Sequence, residues 1–345
     1  MSELRARADL AACREALRGG SRSFFLASLV LPAAYRTPAS ALYAFCRSAD
    51  DAIDRAADPA ASMIVLRERL DAIYAGRPGD DPADRAFAAL VARGGLARAL
   101  PEALLEGFAW DVERRRYADF NALCDYGARV AGTVGVMMAA IMGIRDPAAF
   151  ARAAELGLAM QLTNIARDVG EDAAMGRLYL PLDWMHDAGL DPDGFLARPV
   201  ADARLASVVR RLLAEADAIY ARGRSGISAL PAGCRPAIAA AASLYSEIGR
   251  EVARRDYDSV ANRAVVSPAR KAGALLRAAT EGAAVEFRQA PPMQAIAFLV
   301  DAAIAVRPAR VETRIAWWRL DARAARMVEL CEILQRREQL GREGG

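Results

Sequence analysis

The chain has 345 residues, 54% of them hydrophobic and 26% charged, with a formal net charge of +3. That length can bury a sizeable core, and the near-balance of charge argues against a nucleic-acid-binding protein, which would need a strong basic excess. No apolar run of about 18 residues is present and Met1–Leu10 is charged, so neither a transmembrane helix nor a secretory signal is expected.

Helix-forming residues fill most segments, and no stretch alternates as a strand should. Helices are predicted over Ala39–Ala56, Met63–Tyr74, Pro101–Tyr117, Tyr126–Met142, Pro147–Asp172, Ala203–Ser225, Arg235–Arg254, Pro268–Glu286 and Arg310–Arg336. Leu205, Val208, Val209, Leu212 and Leu213 illustrate the three-to-four-residue apolar period. Arg77-Pro78-Gly79, Arg145-Asp146-Pro147, Leu230-Pro231-Ala232-Gly233 and Pro291-Pro292 punctuate the chain, while Pro101 and Pro147 suit helix starts. Short connections favour one all-helical domain over residues 1–345, with the helices of 290–345 docked on the rest.

The first chemical constellation runs from Tyr43 through Arg47 and Asp50 to Asp54, spaced four, three and four, so all four share one helix face. Two carboxylates one turn apart repel unless a cation compensates. A single such pair is usually a solvated acidic face. A second one changes the balance: Gln161, Asn164, Asp168 and Asp172 form a polar stripe spaced three, four and four, set among Leu156, Leu158, Met160, Leu162, Ile165 and Val169. Carboxylates in apolar company are costly without partners. Hard oxygen donors of this kind suit Mg²⁺ (or Mn²⁺) bridging to phosphate oxygens, and Arg47 and Arg167 add bidentate phosphate donors.

Arg47-Ser-Ala-Asp50-Asp51-Ala-Ile-Asp54 and Gln161-Leu-Thr-Asn164-Ile-Ala-Arg167-Asp168-Val-Gly-Glu171-Asp172 resemble the two aspartate-rich motifs of the squalene/phytoene synthase family. The likeness extends to Ser21-Arg22-Ser23-Phe24-Phe25, Tyr126 through Gly135, Gly176-Arg177-Leu178-Tyr179-Leu180-Pro181 and Tyr245-Ser-Glu-Ile, and spans about residues 10–275. Within the family, the second motif and the Gly176 string are most similar to bacterial phytoene synthases.

The resemblance implies an all-α, single-domain bundle of the class I isoprenoid synthase type around a central cavity. It implies metal ligation by Asp50 and Asp54 on one wall and by Asn164, Asp168 and Asp172 on the other. Arg47 and Arg167 would contact diphosphate; Ser21, Arg22, Ser23, Phe24, Tyr43 and Gln161 would contact substrate. Tyr126 and Tyr245 would be catalytic groups facing the cavity, where a phenol could stabilise the cation or shuttle a proton, and Arg263 and Lys271 resemble basic phosphate-side positions. Gly20 stands where some relatives carry histidine, so no phosphate contact is expected there. The implied reaction is a head-to-head coupling of two geranylgeranyl diphosphates through a cyclopropylcarbinyl diphosphate to a C40 hydrocarbon, without NADPH. It would serve carotenoid biosynthesis in the cytoplasm, leave contact with the inner membrane face open, and hand its product to downstream carotenoid enzymes.

Other features receive plainer readings. Gly132-Thr-Val-Gly135 allows close packing or a kink rather than binding phosphate. His186, the only histidine, and the Arg114–Arg116 and Arg254-Arg255 runs are read as surface. Trp317-Trp318 is assigned to an amphipathic helix. The five cysteines, Cys13, Cys46, Cys124, Cys234 and Cys331, have no metal-clip spacing; Cys46 and Cys124 are read as small core residues, and a reducing compartment fits. Two alternatives stand beside the coupling enzyme: a C30-forming squalene or dehydrosqualene synthase using farnesyl diphosphate, and a non-catalytic helical assembly factor. Intact acidic motifs argue against the latter.

Overall fold

The computed structural model describes residues 3–281, 287 and 289–306, without the side chains of residues 3, 22 and 279–281. The predicted helix Arg310–Arg336, with Trp317, Trp318 and Cys331, lies outside the described residues. Among the described residues there is no strand.

Fifteen α-helices are described: α1 (Glu3–Gly20), α2 (Arg22–Val30), α3 (Ala33–Asp54), α4 (Pro59–Tyr74), α5 (Pro82–Val91), α6 (Ala99–Val112), α7 (Phe120–Gly127), α8 (Thr133–Ile141), α9 (Pro147–Ala174), α10 (Leu182–Asp187), α11 (Pro192–Ala197), α12 (Ala203–Ser225), α13 (Arg235–Ala253), α14 (Pro268–Glu281) and α15 (Gln294–Ile304). Their starts follow local chemistry. Asp58, Asp146 and Asp191 cap α4, α9 and α11 through their carboxylates, and a proline with no donor to waste follows each cap.

The 28-residue α9 is the central post of the bundle, with α8, α12, α13 and α15 packed around it. Two of its charged residues are internal: Arg152 and Glu155 are 1% and 0% exposed and pair at 2.7 Å. Arg222 of α12 reaches Glu155 at 2.7 Å, and both arginines donate to the Pro291 carbonyl. That network holds the Pro291-Pro292 segment, from which α15 packs on α6, α8 and α9.

Two predicted helices end differently. The run Tyr126–Met142 is interrupted by a π-helical turn at Ala128–Gly132. There the π-helical turn and α8 touch α9 backbone to backbone: a Cβ on Gly135 would lie 2.1 Å from the Ala153 carbonyl oxygen, and one on Gly157 2.3 Å from that of Ala131 in the turn. Of the two glycines in Gly132-Thr-Val-Gly135, Gly135 makes this backbone contact, while a Cβ on Gly132 would lie 3.3 Å from Leu299 Cδ1. The run Pro101–Tyr117 stops at Val112, because Arg114 adopts a left-handed φ of 51° and turns the chain so that Tyr117 enters the core. Helix α3 begins at Ala33, before Pro38, which sits inside the helix.

His186 is exposed and Cys124 buried, as expected, whereas Cys46 is half-buried against the cavity. Arg254 and Arg255 are not simply solvated: they pair with the buried Glu247 and Glu251. Arg115 stacks on Trp110 at 3.9 Å.

Candidate active site

A cavity of about 410 Å³ runs between α2, α3, α6, α8, α9 and α13. Its deep part is apolar, lined by Leu31, Leu104, Phe108, Met138, Met142 and Leu230. Its other end is polar, with Tyr43, Arg47, Asp50, Asp111, Tyr126, Gln161, Asn164 and Tyr245 on the wall. The helices explain this division. The motifs occupy the C-terminal portions of α3 and α9, so the small and apolar residues of their earlier turns line the depth.

At the polar end burial works against ionisation. Asp50 is pushed up to about 6, first by burial and then by Asp54, with Arg47 opposing. Asp172 is pushed up to about 8 by burial and by Asp168. Arginines supply the available positive charge. Arg47 lies 3.2 Å from Asp50 and 2.6 Å from Asp51. Arg177 reaches Asp54 at 2.8 Å. Asp168 is gripped from two sides, by Arg167 Nε at 2.6 Å and Arg263 Nε at 2.9 Å, and Arg263 also approaches Glu171 at 3.4 Å. Gln161 accepts a weak bond from Asn164 at 3.4 Å.

The expected substrate-contacting residues divide between lining and support. Phe24, Tyr43 and Tyr245 meet at the cavity wall, with ring centroids 4.9 Å apart for Phe24–Tyr245 and 6.2 Å for Phe24–Tyr43. Ser21 caps α2, accepting from the Phe24 amide at 3.3 Å, and is hydrogen-bonded to Tyr245. Ser23 and Lys271 do not line the cavity, and the Arg22 side chain lies outside the description. Asp54, Arg167, Asp168 and Asp172 also fall outside the lining residues; the first three are tied into the ion pairs above, and Asp172 follows Asp168 one turn later on α9. At Gly20 a Cβ would stand 2.3 Å from the Tyr43 hydroxyl, so the absent side chain leaves room for that phenol.

Asp111 was not singled out from the sequence, and Arg177 and Tyr179 were quoted only within a motif string. Asp111 accepts hydrogen bonds from Tyr126 at 2.9 Å and from Tyr179 at 2.7 Å. No local pattern in the sequence marks Asp111, because its two partners come from distant segments.

The donor set fits a hard divalent cation. Half-buried carboxylates raised by burial and by their acidic neighbours need positive charge, and oxygen is the donor atom throughout. Among the described residues no three acidic, cysteine or histidine side chains converge into a complete cage. One or two carboxylates per ion, completed by water and phosphate oxygens, is the arrangement Mg²⁺ favours.

Comparison with known proteins agrees with this chemistry. The profile of the family described as squalene/phytoene synthase matches residues 17–271. A phytoene synthase of Cereibacter sphaeroides is 51% identical, covering 88% of this chain and 90% of the relative. One from Rhodobacter capsulatus is 50% identical, covering 86% and 91%. Among solved structures, a dehydrosqualene synthase in complex with ligand superposes with a TM-score of 0.73 at 31% identity, covering 80% of this chain and 96% of that one. The chain belongs to the squalene/phytoene synthase family.

Proposed function

We propose that this family member is a phytoene synthase: a transferase that couples two geranylgeranyl diphosphates head to head and releases both diphosphates. The carrying observation is a cavity with a polar end beside both acidic motifs and an apolar depth beyond. Along α9 the lining extends from Asn164 to Ala149, about 22 Å at the rise of an α-helix. That depth suits an extended C20 tail. The identity to the two bacterial phytoene synthases supports the same product class.

The residues divide the work. Asp50 and Asp54 on α3, with Asn164, Asp168 and Asp172 on α9, would hold Mg²⁺ or Mn²⁺. A metal held there would supply the positive charge that a departing diphosphate needs. Arg47, Arg167 and Arg263 turn from their carboxylate partners to diphosphate oxygens as the site fills, giving planar bidentate contacts. Tyr43, Phe24, Gln161 and Tyr245 position the allylic end and keep water from it. The aromatic faces and aliphatic depth shield the cation formed by the first ionisation while the second substrate's double bond attacks it. A second ionisation opens the cyclopropylcarbinyl diphosphate to the C40 skeleton. Nothing in this sequence needs NADPH or a covalent nucleophile.

No helix among the described residues is long and apolar enough to cross a membrane. Helix α2 and its C-cap Leu31 line the cavity, with Phe24, Ala27 and Ser28 on the helix, while Leu26, Leu29 and Val30 are exposed on it. We place the protein in the cytoplasm, with α2 against the inner membrane face so that lipophilic substrates enter beside it. The hydrocarbon then passes to downstream carotenoid enzymes.

Diphosphate release from geranylgeranyl and from farnesyl diphosphate, with and without Mg²⁺, tests the assignment. Metal-dependent release favouring the C20 substrate, reduced about 10²-fold or more in Asp50→Ala and Asp168→Ala, supports it. A preference for farnesyl diphosphate moves the protein to a C30 synthase, and no release from either by folded protein rejects an enzymatic role.

A further inference from the structure

Helix α15 lies beyond residue 271, where the family profile ends, yet it is built firmly into the bundle. Its Ile296 and Leu299 are fully buried, and the buried Arg152, paired with Glu155, fastens the chain just before the helix through the Pro291 carbonyl. Two adjacent side chains of α15 hold the π-helical turn at Ala128–Gly132. Leu299 stands behind Gly132: a Cβ there would lie 3.3 Å from Leu299 Cδ1, with the Ala154 carbonyl oxygen next at 3.5 Å. Phe298 faces the Arg129 guanidinium of the same turn at 4.9 Å, and Arg129 also stacks on Trp110 at 4.3 Å.

The other side of that turn is cavity wall. Val130 and Ala131 line the cavity, and Val134, Met138 and Met142 continue the wall from the turn into the apolar depth. Gly132 and Leu299 are not among the lining residues. Helix α9 leaves the wall no room to shift toward it, since Gly135 meets the Ala153 carbonyl and Gly157 meets that of Ala131. The wall is therefore held between the cavity and α15, and its position depends on what stands at residues 132 and 299. Such π-helical turns are rare and recur at functional sites.

We propose that α15 fixes the position of this wall and that Leu299 is a specificity-determining positioning residue for substrate tail length. The proposal rests on the coupling of geranylgeranyl diphosphate stated above and identifies what gauges its tail. With the diphosphate held at the polar end, a C20 tail reaches one isoprene unit deeper than a C15 tail. A displacement that starts at the turn carries into α8 along Val134 and Met138, and so meets the last unit of the longer tail most strongly. Leu299 touches no substrate; it acts through Gly132 and the turn.

The test is a double-mutant cycle read as a ratio: kcat/KM for diphosphate release from geranylgeranyl diphosphate over that from farnesyl diphosphate, with Mg²⁺. Gly132→Ala adds a methyl group that presses the turn toward the cavity, and the ratio is expected to fall about tenfold or more. Adding Leu299→Ala, which opens space behind the turn, should return the ratio to within about threefold of wild type. Lost stability alone does not move the ratio, because both substrates meet the same folded enzyme. Should Gly132→Ala fail to fold, Leu299→Met, whose longer side chain presses the turn from behind, carries the same readout with a fall of about threefold or more. A wild-type ratio in folded Gly132→Ala (or, in its place, in Leu299→Met) overturns the proposal and leaves the coupling intact. So does a double variant no better than Gly132→Ala. A wild type that prefers farnesyl diphosphate overturns the C20 assignment alone, since the cycle still reads the change in ratio. Release from neither substrate overturns both.

Discussion

Arg177 Nη2 lies 2.8 Å from Asp54 Oδ1 across 123 residues of sequence. The backbone amide of Arg177 donates to the Asp172 carbonyl at 2.8 Å. One residue thus joins the end of the first acidic motif to the end of the second. Its charge also acts on Asp50, Asp111 and Asp172, in each case favouring the ionised carboxylate.

Removing that charge should loosen both motifs together. Arg177→Ala is expected to lower turnover about 10- to 100-fold and to raise the Mg²⁺ concentration needed for half-maximal activity. Arg177→Lys, which keeps charge without the planar fork, should fall between. A Mg²⁺ titration of initial rates checks this; an unchanged midpoint in Arg177→Ala would show that Arg177 has no bearing on metal affinity.

The raised carboxyls set a pH dependence of unusual sign. Asp172 ordinarily ionises near 3.8 and is pushed to about 8 in the fold. Between those values the folded chain holds a proton that the unfolded chain has lost, so this group's contribution to stability declines as pH rises through the window. Asp50 does the same between 3.8 and about 6. Melting curves in EDTA should therefore show Asp172→Asn gaining on wild type as pH rises from 5 to 8. Mg²⁺ with inorganic diphosphate should shrink that gain, by supplying the missing charge at the high-pH end.

Backbone contact of α9 with α8 and with the π-helical turn before it leaves no room for a methyl group. Gly135→Ala and Gly157→Ala should each destabilise the fold by about 1–3 kcal/mol or more, because the opposing atoms are carbonyl oxygens in rigid helices. Gly143→Ala offers a contrast: nothing lies within 4 Å, and its cost comes only from a left-handed φ of 87°. Urea denaturation of the three variants separates the two effects.

Chain-length preference should respond to the far end of the cavity. Ala149 lines it at the start of α9, about ten helical residues or more below the acidic stripe. Ala149→Leu and Ala149→Phe are expected to depress turnover of geranylgeranyl diphosphate progressively and to spare farnesyl diphosphate. Equal loss on both substrates would indicate that Ala149 does not border the tail.

The helical fold and both acidic stripes were legible because helix periodicity fixes which residues share a face. Asp50 with Asp54, and Asp168 with Asp172, follow from spacing alone. The partners of those acids did not follow, since Arg177–Asp54 and Arg263–Asp168 are tertiary contacts. Asp111 was hidden for the same reason: its tyrosines come from α7 and from the segment after α9, and no local pattern links three such distant positions. The π-helical turn was signalled only as a glycine-rich stretch, because its cause lies in the facing backbone of α9.

The most direct measurement is mass-spectrometric analysis of the hydrocarbon made by purified protein from geranylgeranyl diphosphate with Mg²⁺ in the presence of lipid, without NADPH. The account predicts a C40 hydrocarbon, preceded by a cyclopropylcarbinyl diphosphate and abolished in Asp168→Ala. A folded wild type that yields no C40 product from geranylgeranyl diphosphate, or that yields a C30 product from farnesyl diphosphate instead, would contradict it.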